Sequence, residues 1–235
     1  MIQEYLVGGQ VRNEIMHELL NTPLPKSDID IAVEAPSYEA MRQHVLDVGG
    51  DIKLESPQFF TIRALSKYQT NIVPIDYTLC RKESAYTDGR HPDEVNIGTI
   101  EEDLARRDLT INAMAKKISD GTLLDPYNGT ADIKNRLIRA VGNVETRCDE
   151  DALRLLRIFR FSITLNFKID STTETILYHP LYINKLFDTV SDERIREEFT
   201  KCFMANTERT LDALNEYPLI KRKMVRLLKL RPVFK

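Results

Sequence analysis

Apolar and polar residues alternate along two short stretches, a pattern typical of strands whose two faces differ. In residues 28–33 the apolar positions face away from two acidic ones: Ile29, Ile31 and Val33 against Asp28 and Asp30. In residues 71–79 the same alternation separates Val73, Ile75, Tyr77 and Leu79 from Asp76 and Thr78. Both stretches are therefore predicted strands that carry carboxylates on their polar face.

Helical spacing of apolar residues surrounds these strands. A strand at residues 5–7 leads through a glycine pair into a helix with Val11, Ile15 and Leu19 on one side. Residues 37–48 fit a second helix ended by Gly49-Gly50, and residues 59–65 fit a further strand. A third helix begins at Thr99, with acidic residues in its first turn.

Two segments of the first half are less regular. Residues 82–99 are polar and rich in turn formers, and a connection of this length is usually functional or disordered. Residues 109–113 alternate apolar and polar, and the turn at 119–121 followed by residues 122–125 predicts a hairpin there.

From about Asp149 onward the pattern is helical throughout. Residues 150–161 form an apolar stripe and a polar face with Asp151, Arg154 and Arg157 at helical spacing. Ser191 is placed to cap a later helix. Strands mixed with helices first and helices alone afterwards predict an α+β chain, with a head at residues 1–140 and a helical region at 141–235.

Composition narrows the class of protein. The chain of 235 residues is 42% hydrophobic, with no apolar run long enough to span a bilayer and no signal region, so we expect a cytoplasmic protein without membrane partners. Its net charge is −3, yet residues 201–235 carry an excess of basic residues. The basic positions of the last helix, Lys221, Arg222, Lys223 and Arg226, fit either a charged helix end or contact with RNA phosphates.

The acidic strand positions suggest metal chemistry. Asp28 and Asp30 lie about 6.6 Å apart along an extended chain, a spacing suited to divalent-cation binding. Asp76 lies where a neighbouring strand could bring it beside them. The alternatives are a solvated strand edge for the first pair and, for Asp76, a cap or ion pair at a sheet edge near Pro74.

The glycine pair and the nearby arginines suggest anion binding. Backbone N–H groups at Gly8-Gly9 can approach phosphate at a helix start, and Arg12 on the first turn can bind phosphate oxygens. Arg106, Arg107, Asp108 and Asn112 could likewise hold phosphate and a ribose hydroxyl. The alternatives are a tight turn and ordinary surface residues of a helix end.

The polar face of residues 150–161 also has two interpretations. Asp151, Arg154 and Arg157 could form ion pairs along the helix, which stabilise it weakly. They could also present a fixed acceptor and donors to the edge of a nucleobase.

In combination these segments resemble the class II tRNA nucleotidyltransferases, or CCA-adding enzymes, and the related bacterial poly(A) polymerases. The resemblance follows the order of the family's motifs: residues 6–12 with Asp28 and Asp30, residues 102–115, residues 124–139, residues 150–154 and residues 191–195. It implies a polymerase-beta-like nucleotidyltransferase head with a mixed sheet, followed by a helical neck and a short body.

The resemblance also implies roles for individual residues. Asp28 and Asp30 would hold two Mg²⁺, and Asp76 would help to activate the 3′-hydroxyl of the RNA. Gly8 and Gly9 with Arg12 and Arg107 would bind the triphosphate, and Asp108 and Asn112 the ribose. Asp151 and Arg154 would select CTP or ATP, supported by Arg157 and Arg160, and residues 82–99 would form the loop needed to switch between them.

The implied activity is addition of CCA to tRNA 3′ ends from CTP and ATP. Two alternatives stay open: a poly(A) or A-only polymerase, and a catalytically silent RNA-binding module. The chain departs from the family pattern at Asn13, where the family usually has Asp, and at Phe60, where Gly is common. It ends near residue 235, whereas relatives continue through a longer body.

Overall fold

A computed structural model describes residues 2–25, 28–84 and 94–227 of the chain. The described residues form two compact units, the first extending to Asn135 and the second beginning at Arg136.

The first unit contains a mixed sheet with helices around it. Its strands are β1 Gln3–Val7, β2 Ile29–Glu34, β3 Asp51–Ser56, β4 Thr61–Tyr68, β5 Asn71–Leu79, β6 Arg81–Ser84, β7 Glu94–Ile97, β8 Ala115–Lys117 and β9 Leu123–Leu124. Its α-helices are α1 Gly9–Leu20, α2 Tyr38–Asp47, α3 Ile100–Ala105 and α4 Gly129–Lys134. Seven strands form one sheet in the order β3-β4-β5-β2-β1-β8-β9. The predicted α+β class with a mixed sheet is therefore confirmed.

The two strands at the centre of the sheet, β2 and β5, run parallel. Asp30 of β2 is the register partner of Asp76 of β5. Strand β4 pairs antiparallel with the other edge of β5 and places Arg63 opposite Asp76. On the far side, Val7 of β1 lies opposite Asp30. One row across four strands thus reads Arg63, Asp76, Asp30, Val7.

Different helices cover the two faces of this sheet. On the face of Ile31, Val33 and Leu79, helix α2 contributes Tyr38, Met41 and Val45 to a buried cluster. On the opposite face, which also carries the aspartates, Ile100 and Leu104 of α3 pack with Tyr5 and Val7. Because α3 lies on the aspartate face, the residues just after it are directed toward the aspartates.

Helix α3 is fixed by its first turn. The helix starts after Thr99 as predicted, and Thr99 and Glu102 form a reciprocal capping box there. Helix α2 likewise begins after Ser37, whose side chain accepts a hydrogen bond from the N–H of Ala40.

Several sequence predictions for this unit are wrong in detail. Strand β3 was not predicted, and the predicted strand at 59–65 begins at Thr61, because Phe60 adopts a left-handed conformation with φ 56°. Leu19 is exposed rather than part of the apolar stripe of α1.

Two further segments differ from the patterns that predicted them. The ends of the irregular segment at 82–99 are the paired strands β6 and β7, while residues 85–93 lie outside the described residues. Apolar and polar residues alternate at 109–113 in the sequence, yet Thr110–Asn112 is a 3-10 turn whose three residues are all buried. The predicted hairpin is present, but its strands are β8 and β9.

The second unit is mainly helical. Its helices are α5 Val144–Glu150, α6 Leu153–Leu165, α7 Ser171–Glu174, α8 Pro180–Thr189, α9 Asp192–Ala205, α10 Thr207–Glu216 and α11 Pro218–Leu227. Two short parallel strands, β10 Leu137–Ile138 and β11 Lys168–Ile169, join its beginning to the end of α6. The helical pattern predicted from Asp149 onward is therefore interrupted by β11. No helix among the described residues has the length and apolar character needed to cross a bilayer.

The core of the second unit forms around Phe159 of α6. Its ring makes edge contacts with Phe199 of α9 and Tyr217, at centroid distances of 6.2 and 6.0 Å. Glu198 of α9 is almost fully buried beside this core and accepts hydrogen bonds from Arg160 and Lys201. Burial acts to raise the pKa of Glu198, but Arg160 and the hydrogen bonds outweigh it, so the pKa is lowered.

The close approach of α4 to the 3-10 turn predicts sensitivity at Gly129. A Cβ added there would lie 2.3 Å from the backbone oxygen of Thr110. Gly129→Ala should therefore force the backbone apart and lower the free energy of unfolding by about 2 kcal/mol, measured by urea denaturation. Gly9→Ala, whose added Cβ would meet only the Arg12 side chain at 3.5 Å, is the control. Equal stability of the two variants would contradict the packing described.

The buried pair of Glu198 and Arg160 predicts a pH-dependent loss of stability. Glu198→Gln should lower the free energy of unfolding by about 2 kcal/mol at pH 7.5, because Arg160 loses its buried counter-charge. Since the folded-state pKa of Glu198 is lowered, its contribution exists above the ordinary value of 4.5 and is lost as the pH falls. Below pH 4.5 the difference in free energy of unfolding between Glu198→Gln and the unaltered protein should become smaller. Glu197→Gln, at an exposed neighbouring position, should change the free energy of unfolding little at either pH.

Candidate active site

A row of charged side chains crosses three adjacent strands on one face of the first unit. Arg63 donates two hydrogen bonds of 2.6 Å to the carboxylate of Asp76, one to each oxygen. Asp30 lies next to Asp76 in register on the parallel strand β2. Asp28, two residues before Asp30, is exposed. The pattern of alternation thus does bring the three predicted carboxylates to the same face of the sheet.

Asp30 lies in the most constrained position of the three. Burial raises the pKa of Asp30 to about 6, and the negative charges of Asp76 and Asp28 add to the shift. Arg107 acts in the opposite direction, as does Arg63 to a lesser extent. The site therefore has an excess of negative charge that a cation would stabilise.

Helix α1 begins directly beside this carboxylate. Gly8 precedes the helix with φ 69°, a conformation that favours glycine. A Cβ at Gly8 would lie 3.5 Å from Asp30 Oδ2 and 3.6 Å from Arg107 Nη1, so Gly8 lies between a carboxylate and a guanidinium. The first N–H groups of a helix lack partners within it and favour anions. The predicted phosphate-binding turn is thus next to the predicted metal-binding carboxylate.

Asn112 connects the residues around this helix start. Its side-chain oxygen accepts a hydrogen bond of 2.7 Å from Arg12, and its backbone oxygen accepts one from Arg107. Its amide donates to Asp108, which also accepts from the N–H of Leu109. Arg12 additionally donates to the side-chain oxygen of Asn13, at 3.0 and 3.3 Å. Asn13 therefore supports Arg12 even without the carboxylate that is usual in the family.

A buried carboxylate holds the neighbouring arginines. Asp103, only 1% exposed, accepts hydrogen bonds from Arg106 through one oxygen and from Arg107 through the other. Burial acts to raise its pKa, but the two guanidinium groups outweigh burial and lower the pKa. Asp103 therefore stays ionised and fixes Arg107 beside Gly8 and Asp30.

The carboxylates suit a hard divalent cation by their chemistry, because such ions prefer carboxylate oxygens. Among the described residues, however, no group of three His, Cys, Asp or Glu side chains is arranged to hold a metal ion. Both oxygens of Asp76 are engaged by Arg63. In the structure Asp76 is therefore paired with an arginine, and the fit of the site to a cation rests on the carboxylate chemistry of Asp28 and Asp30.

A cleft of about 400 Å³ in the same unit is a different feature. Its lining includes Leu6, Ile31 and Tyr77. Ile31 and Tyr77 alternate with the aspartates along their strands and so lie on the opposite face of the sheet. The cleft therefore does not contain the carboxylate row.

In the second unit, Asp151 differs from its predicted position on a helix face. Its backbone is extended, with φ −145° and ψ 108°, and it ends α5 instead of continuing into α6. The side chain accepts a hydrogen bond of 3.0 Å from the N–H of Leu153, and Arg194 approaches its other oxygen at 3.6 Å. The helical interpretation of Asp151 is wrong, because its backbone is extended and it lies between α5 and α6.

The arginines of α6 follow the predicted spacing and have partners within the unit. Arg154 donates to Glu150, which also pairs with Arg147. The guanidinium groups of Arg157 and Arg160 lie 5.5 and 3.9 Å from the ring centre of Phe161. Both interpretations of this face agree with these contacts, since partners that fix an arginine also orient it for a ligand.

The basic C-terminal segment is helical up to Leu227, and the rest of it lies outside the described residues. Ile220 and Met224 of α11 are buried, while Arg222 and Arg226 are exposed. Lys221, also exposed, donates to Asn215, and Lys223 lies 5.8 Å from the ring centre of Phe187. The exposed basic side of this helix remains a predicted RNA contact.

Sequence reasoning did not identify two residues of the carboxylate region. Asp103 had a signal, because an aspartate three and four residues before two arginines is placed to pair with both on a helix. Arg63 had only a weak one, as a lone charge between the apolar positions Ile62 and Ala64 of a strand.

Similarity to known proteins extends over most of the chain. Residues 4–139 match the model of the poly A polymerase head domain. The chain is 39% identical over 210 residues to the CCA-adding enzyme of Bacillus subtilis, which covers 88% of this chain and 48% of that enzyme. The chain thus spans about half the length of the curated relatives it matches.

Solved structures give the same result. The Bacillus stearothermophilus CCA-adding enzyme in complex with CTP has a TM-score of 0.74 at 30% identity, covering 93% of this chain and 49% of that one. A tRNA nucleotidyltransferase complexed with a primer tRNA and an incoming ATP analogue has a TM-score of 0.70 at 26% identity, covering 100% of this chain and 61% of that one. The family resemblance of the motifs is confirmed: the chain belongs to the poly A polymerase head domain family.

Proposed function

We propose that this protein adds CCA to the 3′ end of tRNA, using CTP and ATP and releasing pyrophosphate. The observation that carries the proposal is the side-by-side placement of Asp30 and Asp76 next to the start of α1, with Arg107 held between that helix and Asp103. The similarity to a CCA-adding enzyme in complex with CTP supports the same substrate.

The triphosphate would lie against the N–H groups at the start of α1. Arg12 and Arg107 would bind its oxygens, because both guanidinium groups reach this turn and are fixed there by Asn112. Asp108 and Asn112, which are hydrogen-bonded to one another, would bind the ribose hydroxyls. Preorganised donors of this kind need little rearrangement when charge develops at the reacting phosphate.

Asp28 and Asp30 would hold Mg²⁺. When bound, the metal would lower the pKa of the RNA 3′-hydroxyl and stabilise the negative charge of the leaving pyrophosphate. Asp76 would orient that hydroxyl for attack in line on the α-phosphate. The carboxylate oxygens of these residues are the ligand type that Mg²⁺ prefers.

Base selection would be the task of the second unit. Asp151 would accept from, and Arg154 donate to, the pairing edge of the incoming base, with Arg157 and Arg160 supporting the nucleotide. Asp151 is held by the start of α6, and Arg154 by Glu150, so each has a defined orientation. We propose residues 1–140 as the catalytic head and residues 141–235 as the neck and body that select the nucleotide and bind RNA.

The tRNA partner would be bound largely through its phosphates. Lys221, Arg222, Lys223 and Arg226 lie on or beside the exposed side of α11. Contacts of this type do not read sequence, and their strength falls steeply with salt. The protein would thus recognise the shape of the acceptor stem and leave nucleotide choice to its own side chains.

The proposal predicts the length of the product. With tRNA lacking its 3′ end and Mg²⁺, CTP alone should give addition of two C, and CTP with ATP should give CCA, read on a gel. Asp28→Ala/Asp30→Ala should lower the rate about a hundredfold or more, because the metal ligands are lost. The exposed strand residue Asp51→Asn is the control and should leave the rate unchanged. Long A tails would instead identify a poly(A) polymerase, and RNA binding without product would identify a silent module.

A second prediction concerns nucleotide choice. Asp151→Asn should reduce the preference for CTP over UTP by about tenfold, because the amide can donate to the carbonyl that replaces the amino group of cytosine. The measurement is single-nucleotide incorporation with each triphosphate separately. Asp149→Asn, which removes an exposed carboxylate two residues away that binds Lys185, is the matched control. An unchanged preference in Asp151→Asn would remove this residue from base selection.

A further inference from the structure

Arg63 occupies the end of the carboxylate row. It lies opposite Asp76 in the antiparallel pair of β4 and β5, and Asp76 in turn lies opposite Asp30. The three side chains therefore follow one another across the sheet on a single face. A guanidinium is thus the nearest cation to the outer carboxylate of the proposed metal site.

The contact between Arg63 and Asp76 is bidentate. Nε reaches one carboxylate oxygen and Nη2 the other, both at 2.6 Å. This planar arrangement matches the fork of the guanidinium to the carboxylate and engages both oxygens at once. A metal ion that binds Asp76 would require at least one of the same oxygens.

Arg63 also interacts with the rest of the cluster. The pKa of Arg63 is raised, first by the hydrogen bonds to Asp76 and the negative charge of Asp76, and then by the charges of Asp28 and Asp30. In the reverse direction, its positive charge lowers the pKa of Asp30. One arginine side chain therefore partly neutralises three carboxylates.

A comparable ion pair on the same sheet shows what is particular to Arg63. Arg42 donates from Nε to both oxygens of Glu55, at 3.2 and 3.0 Å, and the pair is similarly exposed. Arg42 lies on α2 and Glu55 on the edge strand β3, away from the aspartates. The difference is that the pair of Arg63 and Asp76 lies beside two further carboxylates, those of Asp28 and Asp30.

We propose that Arg63 is a resident counter-cation of the metal site. It binds Asp76 when no metal is present, and it releases that carboxylate when a divalent cation enters. Guanidinium and metal thus compete for the same oxygens, so that metal binding to the free protein is weaker than the carboxylates alone would allow. This inference rests on the proposed function, because it assumes that Asp28 and Asp30 are metal ligands, and it adds that the same cation also takes an oxygen of Asp76.

The competition has a consequence for the order of binding. A nucleoside triphosphate brings a metal ion together with several negative charges, and these charges offer Arg63 an alternative partner. The metal should therefore bind more readily with the nucleotide than before it. Arg63 would act as a positioning residue that keeps Asp76 on the site's face until both arrive.

The test is Mn²⁺ binding to the full chain without nucleotide, followed by the electron paramagnetic resonance signal of free Mn²⁺. Arg63→Gln should bind Mn²⁺ about fivefold more tightly than the unaltered protein, because the competing hydrogen bonds and one positive charge are removed. Arg63→Lys, which keeps the charge but loses the fork, should lie between the two. Arg42→Gln is the matched control and should leave the affinity unchanged.

The variant Asp30→Asn distinguishes failure of this inference from failure of the proposed function on which it rests. Loss of Mn²⁺ binding in Asp30→Asn, with tighter binding in Arg63→Gln, supports both. If Asp30→Asn loses Mn²⁺ binding and Arg63→Gln binds Mn²⁺ as before or more weakly, the role of Arg63 is wrong and the metal site stands. If Asp30→Asn binds Mn²⁺ as before, or if no variant binds it, both the metal site and the inference are wrong. Urea denaturation of each variant establishes that the compared proteins are folded.

Discussion

Repulsion between Asp30 and Asp76 is the constraint around which the first unit is arranged. Parallel pairing of β2 and β5 places the two carboxylates side by side, and burial raises the pKa of Asp30 to about 6. Nearby cations offset this concentration of negative charge. Arg63 is brought by β4 on one side, and Arg107 by the end of α3 on the other.

The arginines depend in turn on groups behind them. Asp103 is buried and ionised, and it binds Arg106 and Arg107 through separate oxygens. Asn112 connects Arg107 to Arg12 and to Asp108, so that one buried amide fixes three charged side chains. Asp103 and Asn112 thus determine where the charged groups point. A loss at Asp103 or Asn112 would misplace several of them together.

Local pattern in the sequence was sufficient for some of these features. The alternation in residues 28–33 and 71–79 predicted that Asp28, Asp30 and Asp76 share a sheet face, because the side-chain period of a strand is two. The structure pairs Asp30 with Asp76 in register. The glycine turn before α1 and the start of α3 at Thr99 were also predicted, since both depend on neighbouring residues only. Pairing partners were not accessible in this way. Nothing within β4 indicates that Arg63 will lie opposite Asp76.

Periodicity gave wrong predictions where the sequence pattern continued but the backbone conformation changed. The alternation of residues 109–113 resembles a strand, yet the side chains of Thr110 and Asn112 are buried and hydrogen-bonded to Asp132 and Arg12. Helical spacing likewise runs through Asp151, although the backbone there is extended. In both places the segment is held by hydrogen bonds to its side chains and not by a continuous strand or helix pattern of backbone hydrogen bonds. Such bonds depend on tertiary neighbours that spacing alone does not reveal.

The parallel pairing of β2 with β5 also determines when the site comes into existence during synthesis. Asp28 and Asp30 leave the ribosome early, but their partner strand follows only after α2, β3 and β4. A parallel pair cannot close by a tight turn, so the charged face stays incomplete until that whole crossover has folded. A nascent chain shorter than β5 has two of the carboxylates and neither the third nor the strand that would hold it. The row of carboxylates therefore forms only after the whole segment from β2 to β5 has been made and folded together.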